Sequence, residues 1–319
     1  MLLLRINGVK IKVLVFGRTG LVGTSVVNKL SLNKNLKVVP ASRNDANLFN
    51  LSETTKIIEK VNPDVVVNAA AKVGGILANN SERFDFIIEN LKINMNILES
   101  VKPFSDIRVI NLGSSCIYPI NIENPIKESS IMTGKLEPTN SPYAMAKLTA
   151  IEIGDAMAKQ FGHKITNLMP TNLYGPNDNF NPSNSHVIPG MIYKFHNAKI
   201  LGEDTVKLWG DGTPLREFLF VDDLADSIDF IIEKNLNENI LNIGSSEEIS
   251  IQDLAKLIKE IIDYKGDIEF DESKPNGIDR KLLDSSNIFN HGWKPKTKLK
   301  EGISITYKWF QSNIDNLRL

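Results

Sequence analysis

The chain has 319 residues, 42% apolar and 24% charged, enough to bury one large core or two that share a boundary, in the proportions of a globular enzyme. Its 37 Lys and Arg against 38 Asp and Glu leave a net charge of -1, which gives no general attraction to nucleic acid or to an anionic membrane. One cysteine excludes an intrachain disulfide, no apolar run approaches the length of a membrane span, and the run 1–4 is cut by Arg5, too short for a signal-peptide core; a cytoplasmic protein is expected.

Residues 11–16 read as a buried parallel strand that runs into Gly17, Arg18, Thr19, Gly20, Leu21, Val22 and Gly23, then a helix to about Leu30. Strand, glycines at every third position, helix is the context a dinucleotide site needs. Bare backbone approaches a pyrophosphate, which rests on the helix N-terminus. The second strand, 36–39, is followed by no carboxylate where an acid would hold ribose hydroxyls; the first acid is Asp45, past Arg43. Arg18 and Arg43 are two guanidinium groups suited to a 2′-phosphate, so NADP(H) is predicted over NAD. A third strand at 64–71 ends in Ala69, Ala70 and Ala71, small side chains that leave room for a cofactor, and 72–76 continues as a loop. From 81 to 101, Phe84, Ile87, Ile88, Leu91, Met95 and Leu98 recur at helical spacing and mark a helix facing the core or a second subunit.

An apolar strand at 107–112 ends in Gly113 and delivers Ser114, Ser115 and Cys116. The answering segment opens a helix at Tyr143 and runs to about Phe161, so Tyr143 and Lys147, four residues apart, share a face. An ammonium beside a phenol favours phenolate, and such a Tyr passes a proton to or from a carbonyl oxygen while hydride moves at carbon. A strand at 165–169 precedes Pro170, Asn172 and Tyr174, and an Asn/Pro/Ser-rich loop at 177–185 leads through His186 into a helix ending near Ala198. A strand at 206–209, a turn at 210–214 and the segment 215–220 follow, then a helix that one of Asp222 and Asp223 is expected to cap. Beyond the strand at 241–244 the chain ends in an amphipathic helix near 304–310, with no repeat and no tether-like linker. His163, His196 and His291 read as solvated, and no Cys/His cluster has metal-ligand spacing, so no metal is predicted.

These residues resemble the extended short-chain dehydrogenase/reductase family, and within it the branch of epimerase-reductases acting on GDP-4-keto-6-deoxy-D-mannose. The resemblance is carried by A-A-K-V-G-G-I (70–76), L-G-S-S-C-I-Y-P (112–119), P-Y-A-M-A-K (142–147), P-T-N-L-Y-G-P (170–176), N-S-H-V-I-P (184–189) and W-G-D-G-T-P-L-R-E-F (209–218), and it spans nearly the whole chain. It implies an α/β fold, a Rossmann doubly wound parallel sheet with a smaller, interleaved C-terminal α/β substrate domain. The expected division is 1–173 plus 217–243 for NADP and 174–216 plus 244–319 for the nucleotide sugar.

The resemblance also implies roles. Tyr143 would protonate the C4 oxygen, Ser114 would hydrogen-bond it, and Lys147 would lower the Tyr143 pKa and contact the nicotinamide ribose. Cys116 and His186 would be the acid-base pair that inverts C3 and C5. Ala70 and Pro170 would border the cofactor, while Asn172, His186, Lys194, Trp209, Arg216 and Lys281 would line the substrate pocket, Arg216 on the diphosphate. Lys194 stands where an Arg is expected, Asn50 where relatives often carry an Asp near the adenine, and Asp279 in place of a usual Pro. The implied activity is NADPH-dependent conversion of GDP-4-keto-6-deoxy-D-mannose to GDP-L-fucose by a homodimer. The alternatives are a related GDP-keto-deoxysugar 4-reductase, such as a heptose enzyme with or without epimerisation, and a non-catalytic NADP-binding protein. A dehydratase would need an Asp-Glu pair where this chain has Ser115 and Cys116, and a 4-epimerase would keep NAD.

Overall fold

The computed structural model describes residues 10–274 and 276–317; the apolar run 1–4 lies outside them. The first half alternates strand and helix: β1 (Ile11–Phe16), α1 (Leu21–Ser31), β2 (Leu36–Ala41), α2 (Leu51–Val61), β3 (Val65–Asn68), α3 (Ile76–Ser81), α4 (Arg83–Val101), β4 (Arg108–Leu112), α5 (Ser141–Phe161) and β5 (Ile165–Pro170). Then come β6 (Asn172–Tyr174), α6 (Val187–Leu201), β7 (Thr205–Trp209), β8 (Leu215–Phe220), α7 (Val221–Lys234), β9 (Ile240–Ile243), β10 (Glu248–Ser250), α8 (Ile251–Ile262), β11 (Asp267–Asp271), β12 (Arg280–Lys281), α9 (Ser286–Asn290) and α10 (Leu299–Ser312).

Strands β2-β1-β3-β4-β5-β9 form a six-stranded parallel sheet in that order, with the reversal beside β1 that defines a doubly wound fold. Its central strands are apolar and buried along their length because helices cover both faces. One face holds α1 and α7, tied by Lys29 to Asp226 and Asn33 to Asp229, over a core of Val13, Leu168, Leu224 and Ile228. The other holds α2, α4 and α5 over Leu14, Val66, Ile97 and Val109.

A row of asparagines crosses that second face: Asn68 donates to Asn94 and to Asn111, each at 2.9 Å, Asn111 donates to Asn167 at 3.2 Å, and Asn167 donates to the Asn239 carbonyl. Asn68, Asn111 and Asn167 are register partners on β3, β4 and β5, so the row runs straight across the sheet.

The smaller lobe is built on β8, which pairs with β10, β12 and β6, and on the parallel pair β7-β11. Its core joins Phe180, Phe195, Leu254, Ile258 and Phe310. Helix α8 buries Leu254, Ala255, Ile258 and Ile262 at the spacing of one helical face. On β8, Leu219 enters the first core, whereas Phe218 and Phe220 enter the second.

Three expectations are corrected. The helix expected at 81–101 is α4, 83–101, but a short helix α3 precedes it across a break at Glu82, so the loop after β3 is shorter than expected and Ile76 already opens α3. Within α4, Phe86 is buried, while Phe84 and Met95 are exposed. Neither Asp caps α7. Phe220 holds that position, Asp222 takes the Ser25 hydroxyl, and Asp223 receives Lys296 N and Thr297 N. His163 and His196 are buried rather than solvated, one at the Lys102 carbonyl and the other against Tyr307. No described helix is long and apolar enough to cross a membrane.

Candidate active site

The glycine loop follows directly from β1. Gly17 has φ 82°, in the left-handed region, and a Cβ there would lie 2.7 Å from the Ala69 carbonyl. A Cβ on Gly23 would meet Gly17 O at 2.0 Å, so α1 can pack this closely only without a side chain. Gly20 N donates to Gly17 O at 3.1 Å, and Thr24 Oγ1 to Arg18 O at 3.0 Å, which closes the turn. Helix α1 begins at Leu21 with no side-chain cap, leaving its first N–H groups for an anion, with Leu21 and Val22 half-buried beneath. These residues fit a dinucleotide pyrophosphate. Ala70, whose N bonds to Asn68 Oδ1, flanks the loop, and Pro170 ends β5 opposite Ile243.

Arg18, Thr19 and Arg43 are exposed beyond the ends of β1 and β2. Asp45, the first acid after β2, turns back: its Oδ2 accepts from Ser42 N at 2.8 Å and Ser42 Oγ at 2.7 Å. Those bonds, with a smaller pull from Arg18, hold its carboxyl below the usual range. Asn50 caps α2 by accepting from Glu53 N at 3.2 Å.

At the next strand end, Ser114 Oγ accepts from Cys116 N at 3.2 Å and caps the short turn 115–117, which leaves Cys116 half-exposed. The same hydroxyl hydrogen-bonds the Tyr143 phenol. Lys147, 2% exposed, lies one turn along α5 with Nζ 5.8 Å from the Tyr143 ring centroid, and it donates to Leu112 O at 2.7 Å. The four side chains are therefore brought together as the spacing suggested. The electrostatics differ from expectation. Burial, and then the neighbouring Cys116, push the phenol above its ordinary value against the Ser114 bond, and burial lowers the ammonium to about 8. The expected lowering of Tyr143 by Lys147 is not present, because Nζ is turned to the Leu112 carbonyl.

A continuous wall joins Tyr143 to His186. The Phe86 ring meets Tyr143 edge-on at 6.3 Å, and a Cβ on Gly74 would lie 3.2 Å from Phe86. Lys72 sits 5.5 Å over Phe86 and pairs with Glu82 at 2.9 Å, while the Asn90 amide holds Lys72 N and O. Asn79 Nδ2 donates to Gly74 O and Gly75 O, and Gly75 N donates to Asn184 O at 2.9 Å. His186 follows two residues on, at the start of α6. Solvent reaches its ring, yet the protein mass around it lowers the imidazole below its ordinary value, as for a side chain lining a cleft.

In the smaller lobe, β12 runs beside β8 with Lys281 opposite Arg216, which sets two cations side by side. Burial lowers the Arg216 pKa, opposed by Asp279. Asn172 is half-buried and donates to Glu217 O at 2.8 Å. Lys194 gives its Nζ to Lys207 O at 3.2 Å and so is engaged with β7, which also carries Trp209, 47% exposed. The sequence reading missed Phe86, Asn79, Asn90 and Glu217. A charge inside the run 215–220 and the pair Asn90 and Asn94, four apart on α4, were the available signals. Among the described residues no group of three or more His, Cys, Asp or Glu stands ready for a metal.

Comparison with known proteins agrees with this geometry. The profile of the NAD dependent epimerase/dehydratase family matches residues 13–244. GDP-L-fucose synthase 1 of Arabidopsis thaliana is 44% identical over 305 residues, covering 96% of this chain and 94% of that protein. A GDP-L-fucose synthetase structure from Naegleria fowleri bound to NADP aligns with a TM-score of 0.87 and 30% identity, covering 97% of this chain and 96% of that one. A GDP-6-OMe-4-keto-L-xylo-heptose reductase from C. jejuni aligns with a TM-score of 0.89 and 29% identity over 95% of this chain and 98% of that one. The chain belongs to the NAD dependent epimerase/dehydratase family, beside the GDP-L-fucose synthases.

Proposed function

We propose that this chain is an NADPH-dependent enzyme that epimerises GDP-4-keto-6-deoxy-D-mannose at C3 and C5 and reduces it at C4 to GDP-L-fucose. The observation that carries the reading is the Ser114–Tyr143–Lys147 cluster with Cys116 in the adjoining turn and His186 at the end of the same wall. The hydrogens on C3 and C5 flank a ketone, so removing either as a proton leaves an enolate whose charge rests on the C4 oxygen. Ser114 and Tyr143 donate to that oxygen. Cys116 and His186 work as the base and acid that take a proton from one face and return one to the other. The low-pKa imidazole is neutral at pH 7 and free to accept.

Bound NADPH supplies the hydride that adds to C4. Tyr143 gives its proton to the C4 oxygen, so ketone, hydride and proton sum to the alcohol, and Lys147 would hold the nicotinamide ribose. Arg18 and Arg43, with Asp45 folded into its own turn, suit the 2′-phosphate. Asn172, Lys194, Trp209, Arg216 and Lys281 bind the GDP-sugar. We assign 1–173 plus 217–243 to the NADP lobe and the remainder to the substrate lobe, with β8 shared between their cores. A homodimer is proposed through the face of α4 that carries Phe84 and Met95 and that of α5 that carries Met145, all three exposed here.

The test is turnover of GDP-4-keto-6-deoxy-D-mannose with NADPH in deuterated water. Deuterium at C3 and C5 with NADPH oxidised is expected, and Tyr143→Phe is expected to stop oxidation while NADPH still binds. Oxidation without deuterium would remove Cys116 and His186 from the mechanism and favour a plain 4-reductase, the reading that the likeness to the heptose reductase supports.

A further inference from the structure

Glu217 lies beside Arg216 on β8 and is 0% exposed. Its Oε1 accepts from Ser246 N at 2.7 Å and its Oε2 from Leu283 N at 3.0 Å. Ser245 N also bonds to the carboxylate, and the Glu217 carbonyl receives Thr171 Oγ1 at 3.1 Å and Asn172 Nδ2 at 2.8 Å. The approach is close enough that a Cβ on Gly244 would lie 2.2 Å from Oε1.

These partners have one thing in common: each sits where the chain enters or leaves the small sheet. Thr171 lies between β5 and β6, Ser245 and Ser246 between β9 and β10, and Leu283 between β12 and α9. Glu217 thus gathers three such points, two through its carboxylate, whose charge is met by backbone N–H groups, and one through its main-chain carbonyl, which takes the Thr171 hydroxyl. Burial raises its pKa and those donors oppose the rise. A buried anion that touched a diphosphate would repel it, so Glu217 acts through what it holds. Leu283 lies two residues past Lys281, and Lys281 is the register partner of Arg216.

We propose that Glu217 is a positioning residue for diphosphate binding: by pinning Leu283 and the 245–246 loop to β8 it fixes Lys281 beside Arg216. This rests on the GDP-sugar reading. The two cations belong to different strands, and β12 is only two residues long, too short to hold its own register. With the carboxylate replaced by an amide, one N–H donor meets another N–H, and the β12 end of the site loosens.

The experiment measures GDP affinity by calorimetry and NADPH affinity by fluorescence for the wild type, Glu217→Gln and Thr171→Val. For Glu217→Gln, a GDP Kd raised tenfold or more with NADPH affinity within twofold is expected. In turnover, KM for the keto-sugar should rise in parallel while kcat stays within about threefold. Thr171→Val, which removes one hydroxyl donor, should raise the GDP Kd about threefold, and it decides the matter if the amide variant does not fold. GDP affinity unchanged in the variants, or NADPH affinity falling with it, would overturn the inference alone. Absence of GDP binding by the wild type would overturn the GDP-sugar reading and this inference with it.

Discussion

Lys147 shows what the site costs the fold. The unfolded chain holds this proton to near 10.5 and the folded protein only to about 8, so between those values the unfolded state binds more protons and stability rises with pH. At neutral pH the buried ammonium costs roughly 3 kcal/mol, from about 1.4 kcal/mol per pKa unit. Lys147→Met is expected to stabilise the free protein at pH 7.5 by about 1–2 kcal/mol, after the lost bond to Leu112 O is counted, and to abolish reduction. Urea melts at pH 7.5, 9 and 10 check this: the rise seen in the wild type should be flat in the variant. At the other end of the cofactor, Arg18→Ala and Arg43→Ala should each weaken NADPH about tenfold, near 1.4 kcal/mol, and leave NADH little changed. Equal losses for both cofactors, read by fluorescence titration, would count against a 2′-phosphate site.

Among the elements, the loop 72–75 matters most, because Gly75 N joins it to the segment before His186. A Cβ on Gly75 would lie 2.7 Å from Ser185 O. Gly75→Ala should therefore cost about 1–3 kcal/mol and lower deuterium exchange at C3 and C5 at least tenfold, with NADPH binding intact. Unaltered exchange would show that His186 does not depend on this latch. The sequence made β1, the glycine loop and the Tyr143–Lys147 helix legible, because each rests on local spacing that no tertiary contact had to override. Helix α3 was not legible, and the exposed face of α4 was hidden because Phe84 and Met95 keep the helical period of a buried stripe while facing solvent. Nor was the Asp223 role, because a cap and an acceptor for a segment 73 residues away look alike in sequence. Of the site, the grouping of Ser114, Cys116, Tyr143 and Lys147 was readable. The turning of Lys147 toward Leu112 O and the part played by Glu217 depend on burial, which spacing does not report.

At the scale of the molecule, the exposed apolar residues bear on assembly. Phe84 is 74% exposed on α4, with Ile88 and Leu91 half-buried on the same side and Met95 beyond them. Phe84→Glu combined with Met95→Glu should convert a dimer to a monomer in light scattering, while the glycine loop, on another part of the sheet, still binds NADPH. A wild type that scatters as a monomer would end the dimer proposal.

The asparagine row has a consequence for how this sheet finds itself. Strands β3, β4 and β5 are apolar and buried on both faces, so sliding one past the next by two residues would leave the hydrophobic pattern nearly unchanged. The amides remove that degeneracy. Only one alignment lets Asn68 reach Asn111 and Asn111 reach Asn167, and any slip strands a carboxamide in the core without a partner. The row thus acts as an alignment key, by which nearly uniform apolar strands are told apart during assembly and the loops carrying the chemistry leave the sheet at the correct height.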